Sequence, residues 1–235
     1  MTSTEASSSE EKAATLRALH VPGDPLVLPN AWDAASARMV DAAGFPVVAT
    51  SSVATVRILG YDDGEAAPVE DVLAAAARIV RAVSLPVTQD SDPPTGEMID
   101  AAEQADFLAA VRSAAVSAGV DLVINARTDS FLRPVGSPEE QLAASIERGA
   151  RYVGAGADCV YPIGAGDPNP IRALVEGVPG PVNVGYGRGK LSLAELAALG
   201  VARVSFGPTL QQHLYDKFGS GLLAAVASDE TPFVL

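Results

Sequence analysis

Cysteine is nearly absent from this 235-residue chain, whose one example, Cys159, lies in an apolar run. That excludes a disulfide framework and any clustered cysteine metal site, and makes a reducing cytoplasm the expected home. Histidine is scarce as well. His20 belongs to the N-terminal segment and His213 to the last helical stretch, so both are expected in surface or packing roles. Aromatic residues make up 5% of the chain against 48% hydrophobic residues overall, so the core must be built from Ala, Val, Leu and Ile. Such a core suits helices packed on parallel strands that are buried on both faces. Bases are outnumbered, 16 against 29 acids, for a net charge of -13, which repels polyanions and excludes nucleic acid as a partner. No run approaches the roughly 18 apolar residues of a membrane span, and no basic segment leads into an apolar leader. The expectation is a soluble protein with no membrane partner.

What is present is an alternation. Seven short apolar runs read as strands: 26–29, 47–51, 85–88, 121–126, 158–161, 181–184 and 202–206. Ala-rich stretches of helical period separate them. Four junctions resemble one another, AAGFPVVATS, SAGVDLVINA, GAGADCVYPI and ALGVARVSFG, each with a glycine placed to end a helix just before a buried strand. Ser137-Pro138-Glu139-Glu140 and Ser192-Leu193-Ala194-Glu195 carry capping boxes at helix starts. The pattern predicts an α/β fold, a TIM-type (β/α) barrel with helices outside and strands inside. Residues 1–10 read as a frayed tail, residues 11–235 as a single barrel domain opening with a helix over 11–19. A doubly wound open sheet is the alternative, but neither of its usual nucleotide-binding glycine fingerprints occurs.

Chemistry concentrates after the second run. Thr50, Ser51 and Ser52 bring hydroxyls and backbone N–H groups to a strand's carboxyl end, where parallel α/β folds bind ligands, and Asp62, Asp63 and Glu65 follow within one loop. The competing reading is that these hydroxyls only cap the next helix. A barrel needs eight strands and seven are found, so it is expected to be incomplete or distorted. The shortfall lies where VTQD runs directly into SDPPTGE, because a βα unit takes about 30 residues and this segment cannot hide one.

With LPNAWDAASARMVDAAGFPVVATSS, LGYDDGE, SLPVT, DSDPPTGEMIDAAEQADFLAAVR, LVINARTDSFL, GADCVYPIG, GPVNVGYG and LGVARVSFGP in view, the chain resembles the isocitrate lyase / phosphoenolpyruvate mutase family. The likeness is to its small bacterial members of carboxyvinyl-carboxyphosphonate phosphorylmutase-like or methylisocitrate lyase-like type. It implies an (α/β)8 barrel, a homo-oligomer (dimer or tetramer), and Mg2+-dependent cleavage of a carbon–carbon or carbon–phosphorus bond in a small 2-oxo acid or dicarboxylate through an enolate. By motif it assigns Ser51, Ser52 and the N–H of Val53 to the substrate's carboxylate and oxo group, with Trp32 also at the substrate. Asp63 and Asp90 are assigned to the metal, and Arg127 to the distal carboxylate or phosphonate. A salt bridge from Arg127 to Asp129 or Glu65 is the alternative for that arginine.

Departures matter too. Asp90 stands for an acid of either the family's third strand or its fourth, not both, so two expected metal-shell carboxylates have no counterpart. The lyases' Lys-Lys-Cys-Gly-His loop is absent. Tyr161 and Tyr186 are acid–base candidates by position alone. The second reading is therefore a catalytically impaired relative that keeps only ligand binding. A third, an unrelated phosphate-binding barrel, would use the loop Gly185 to Lys190.

Overall fold

The computed structural model describes residues 8–62, 67–88, 98–187 and 191–229. α1 (Ser9–Ala18) starts from a complete capping box between Ser8 and Glu11, inside the expected tail. β1 (Leu26–Leu28) and β2 (Asn30–Ala31) follow, then α2 (Ala34–Ala42), β3 (Val48–Thr50), α3 (Ser52–Leu59), α4 (Val69–Ala82) and β4 (Val87–Thr88). The second half runs α5 (Ala101–Ser117), β5 (Asn125–Thr128), α6 (Pro138–Gly154), β6 (Cys159–Pro162), α7 (Pro168–Gly177), β7 (Asn183–Gly185), α8 (Leu193–Ala198) and β8 (Arg203–Ser205). α9 (Thr209–Lys217), a π-helical turn (Phe218–Leu223) and α10 (Ala224–Ala227) close it. Both capping boxes read from the sequence, at Ser137 and Ser192, are formed.

Every strand pairing is parallel. β1 and β2 are one pass of the chain, divided at Pro29, which has no N–H to donate; β1 pairs with β8, and β2 with β3. The order is β7-β8-β1, continued through Pro29 into β2-β3-β4, with β5-β6 joined to β7 by a single bridge, Val160 to Val182. Among the described residues no hydrogen bonds join β4 to β5. This is the TIM-barrel-like arrangement expected, with seven passes among the described residues, and its discontinuity falls where the sequence is short.

The fourth predicted strand needs correction. Expected at 121–126, it is observed at Asn125–Thr128. The preceding residues are held by other means: Asp121 pairs with Arg17, the Leu122 carbonyl accepts from Arg17 and Arg112, and the Ile124 N–H donates to the Asp158 carboxylate at 2.8 Å. Backbone pairing begins at Ile124, whose carbonyl accepts from the N–H groups of Asp158 and Cys159 at 2.9 and 3.1 Å, and the residues before it take side-chain partners.

Alternation along the strands assigns the two faces. Val160, Val182, Val184 and Val204 point outward against Ile171, Leu174 and Leu196 of the surrounding helices. Leu26, Leu28, Val47 and Ala49 point inward and meet Leu16 of α1, which plugs the amino end of the sheet. Arg17 and Arg112 bind Asp121 and Asp158 there, locking α1 and α5 onto the starts of β5 and β6.

Candidate active site at the carboxyl ends of the strands

Ser51 follows β3 and is 2% exposed. Its N–H donates to the Ala31 carbonyl at 3.2 Å, which sets it beside Trp32 at the end of β2, and its Oγ accepts from the Ala54 N–H at 3.3 Å. The capping reading is thus correct for Ser51, and the O–H is left as a donor. The same cap aims the amino end of α3, headed by Ser52 and Val53, at the carboxyl rim, where a helix start favours anions. Gln211, fully buried, keeps α3 there by donating to the Ala54 carbonyl at 2.8 Å and accepting from Arg57 at 3.2 Å.

Arg127 lies on β5, and the burial alternation turns Ala126 and Thr128 away while Arg127 shares the inward side with Asn125. Its Nε donates to Asp129 at 2.6 Å and its Nη2 at 3.2 Å, the salt bridge that the sequence offered as the alternative. Asp129, 4% exposed, also faces Arg133 at 3.6 Å. A guanidinium braced on its Nε side is held in one orientation, so the ion pair and a ligand role are compatible. Tyr161, 8% exposed, is the register partner of Arg127 on β6. The Tyr186 ring packs against Phe206, with ring centroids 5.1 Å apart.

The metal residues expected from the resemblance, Asp63 and Asp90, lie outside the described residues, as do Glu65 and the end of the loop from Gly185 to Lys190. Among the described residues no group of three or more His, Cys, Asp and Glu side chains is placed to hold an ion. The donors at the described rim are oxygens, those of Ser51 and Thr88. Nitrogen and sulfur ligands are elsewhere: His20 packs at the opposite end, His213 is exposed on α9, and Cys159 is enclosed within β6. Such a set suits a hard ion such as Mg2+ and not zinc.

Three polar features of the sheet were missed by sequence reasoning. Asn30 donates to the Thr50 carbonyl at 2.6 Å and accepts from the N–H groups of Phe206 and Gly207 at 2.8 and 2.9 Å, pinning β3 to the end of β8. Asn183 and Ser205 exchange hydrogen bonds at 3.1 and 3.2 Å across β7 and β8. Arg203 is fully buried on β8, between Leu26 and Asn183 in register. A charged residue inside the apolar run VARVSF was the available signal.

The family model for phosphoenolpyruvate phosphomutase matches residues 16–97 and 89–225. The two matched blocks overlap on residues 89–97, so that short stretch stands against two places of the family pattern, as a chain short of one unit requires. An uncharacterized protein of Mycobacterium tuberculosis is 32% identical, the match taking in 88% of this chain and 84% of that protein. The 2-methylisocitrate lyase of Bacillus subtilis is 28% identical, over 75% of this chain and 67% of the lyase. A crystal structure from Burkholderia cenocepacia, given provisionally as a phosphonomutase, superposes with a TM-score of 0.85 at 39% identity, covering 89% of this chain and 98% of that one. The chain belongs to the phosphoenolpyruvate phosphomutase family, within the superfamily of phosphoenolpyruvate mutase and isocitrate lyase.

Proposed function

We propose that this protein is a Mg2+-dependent lyase or mutase that cleaves a carbon–carbon or carbon–phosphorus bond of a small 2-oxo acid or related dicarboxylate through an enolate. The observation that carries the reading is Arg127, turned inward at the carboxyl end of β5 and braced by Asp129. Membership in a superfamily of lyases and mutases acting on small carboxylates supports it. Arg127 grips the far carboxylate or phosphonate in two-pronged fashion. The amino end of α3, with the Ser51 hydroxyl, holds and orients the near carboxylate and oxo group. Trp32 walls the rim beside them. Asp63 and Asp90 would hold Mg2+, which when bound polarises the oxo group as a Lewis acid.

Titration calorimetry with Mg2+ and oxalate tests this. Metal-dependent binding is expected, weakened about tenfold or more by either Asp63→Ala or Asp90→Ala, while Arg127→Ala weakens a 2-oxo dicarboxylate by as much and spares oxalate. Absence of any heat, with no rise in Tm when both are present, leaves the second reading, a family member whose missing unit has cost it the metal. The break between β4 and β5 favours that second reading.

We also propose a cytoplasmic homo-oligomer. Leu210, Leu214, Phe218, Leu222 and Val226 recur every fourth residue along α9, the π turn and α10, and all are exposed. An apolar stripe of that length is an association surface. No described helix is long and apolar enough to cross a membrane.

A further inference from the structure

The discontinuity in the sheet is occupied by a crevice of about 910 Å³. Its walls include Val87 and Thr88 of β4 on one side and Asn125, Ala126 and Arg127 of β5 on the other. It runs the depth of the sheet, from Lys12 and Leu16 of α1 at the amino end to Arg127 at the carboxyl end, and opens outward between Leu73 of α4 and Phe107 of α5. The volume is at the upper end of small-ligand pockets, far more than a four- or five-carbon diacid needs. Most of the lining is aliphatic, and the cation Arg127 stands at one end. A mostly apolar slot with a cation at one end matches an amphipathic acid.

We infer that the crevice is a side-chain pocket of the active site, and that the substrate is a 2-oxo or 2-hydroxy acid bearing an extended apolar substituent. The 2-oxo acid head stays at the amino end of α3, the far carboxylate lies at the Arg127 end, and the apolar substituent runs down between β4 and β5. This rests on the proposed reading of Arg127 as the acid-binding residue. It assigns to the missing stave a gain in specificity: where the family pattern has a strand and helix, this chain has room for the substrate's tail.

The test is calorimetric titration of 2-oxo diacids carrying straight alkyl substituents of one to eight carbons, and of oxalate, each with Mg2+. Gln104, on the α5 face that lines the crevice, is the residue to change. The native protein gains roughly fourfold in affinity per methylene until the slot is full. Gln104→Trp, which fills the slot from a helix surface, flattens the series, whereas Gln104→Ala preserves it; oxalate binds all three alike, showing that each is folded. A flat series in the native protein, or one undisturbed by Gln104→Trp, overturns the inference while oxalate binding leaves the proposed function standing. A rising series without oxalate heat supports the crevice and overturns the metal-dependent reading.

Discussion

The arc from β6 through β1 and the flank between β4 and β5 use the same aliphatic alphabet to opposite ends. On the arc, Ile171 and Leu174 of α7 and Val160, Val201 and Val204 are fully buried, because each strand has a neighbour on both sides and each helix a continuous sheet beneath it. On the flank, Leu73 of α4 is 58% exposed and Phe107 of α5 is 61% exposed, although both lie on helices of the same kind. What differs is the sheet, and a residue's value to stability follows from it. Burial per side chain sets the hydrophobic contribution, so the arc should hold the fold while the flank is open to be used.

The sharpest way to break that contrast is a pair of truncations read by urea denaturation. Leu174→Ala removes a side chain from a site that cannot collapse easily and should cost about 3 kcal/mol. Phe107→Ala should cost less than about 0.5 kcal/mol, as exposed substitutions do. Equal costs would mean that the flank is covered in solution, for example by a second copy of the chain.

A smaller effect tests how the flank stays in place. Arg17 donates to Asp158 at 2.8 Å and to Asp121 at 2.9 Å, and Arg112 reaches the same two carboxylates, so the starts of β5 and β6 are tied to α1 and α5 without any β4 partner. Asp158→Ala leaves two arginines short of an anion and the Ile124 N–H without its acceptor, and should cost about 2 kcal/mol. Part of the loss is expected to disappear when Arg17 and Arg112 are also changed, since the stranded charges are then gone. Full additivity would show that the network is a surface decoration.

Much of this was legible beforehand, for reasons that differ along the chain. The helix-ending glycines, the capping boxes at Ser137 and Ser192 and the apolar runs are local signals, and each appears at or near its expected position. So does the missing stave, because a length deficit between Thr88 and the next helix is arithmetic on the sequence. The start of β5 was not legible, since residues 121–124 look like a strand and are held largely by the side chains of Arg17, Arg112 and Asp158, which is tertiary information. Asn30 and Arg203 were visible but unread, because what each one binds or packs against on the inward face comes from other strands. The outward turn of Thr50 and the inward turn of Ser51 follow from strand alternation. The pairing of Arg127 with Asp129 was among the readings the sequence left open, and the structure forms it.

The amino-end plug offers a gentler probe. His20 is buried at 8% exposure, its Nδ1 bonded to the Leu16 carbonyl at 2.8 Å, and its pKa is lowered by burial first and by the Arg203 charge second. The neutral ring is therefore the form the fold accepts. Its contribution is present above the ordinary histidine value of 6.5 and is lost as the pH falls through the lowered one. Stability should drop on acidification below about pH 6.5, with a slope of at most ~1.4 kcal/mol per pH unit, one proton's worth. His20→Asn should flatten that limb, and an unchanged slope would assign it to carboxylates instead.

The least perturbing measurement looks at the boundary between the two regions without altering either. Cys159 is the first residue of β6 and pairs in register with Asn125, so it lies behind the strand that walls the crevice. Burial pushes its thiol up to about 12, leaving little thiolate at neutral pH, and no surface of the side chain is exposed. A disulfide reagent should then react only when the protein unfolds, at a rate that falls with every kcal/mol of added stability. If labelling is faster than unfolding, and slows when an acid ligand occupies the crevice, β5 must move away from β6 in the folded protein. The open flank would then extend one strand further than the static arrangement draws it, and the rigid arc would begin at β7.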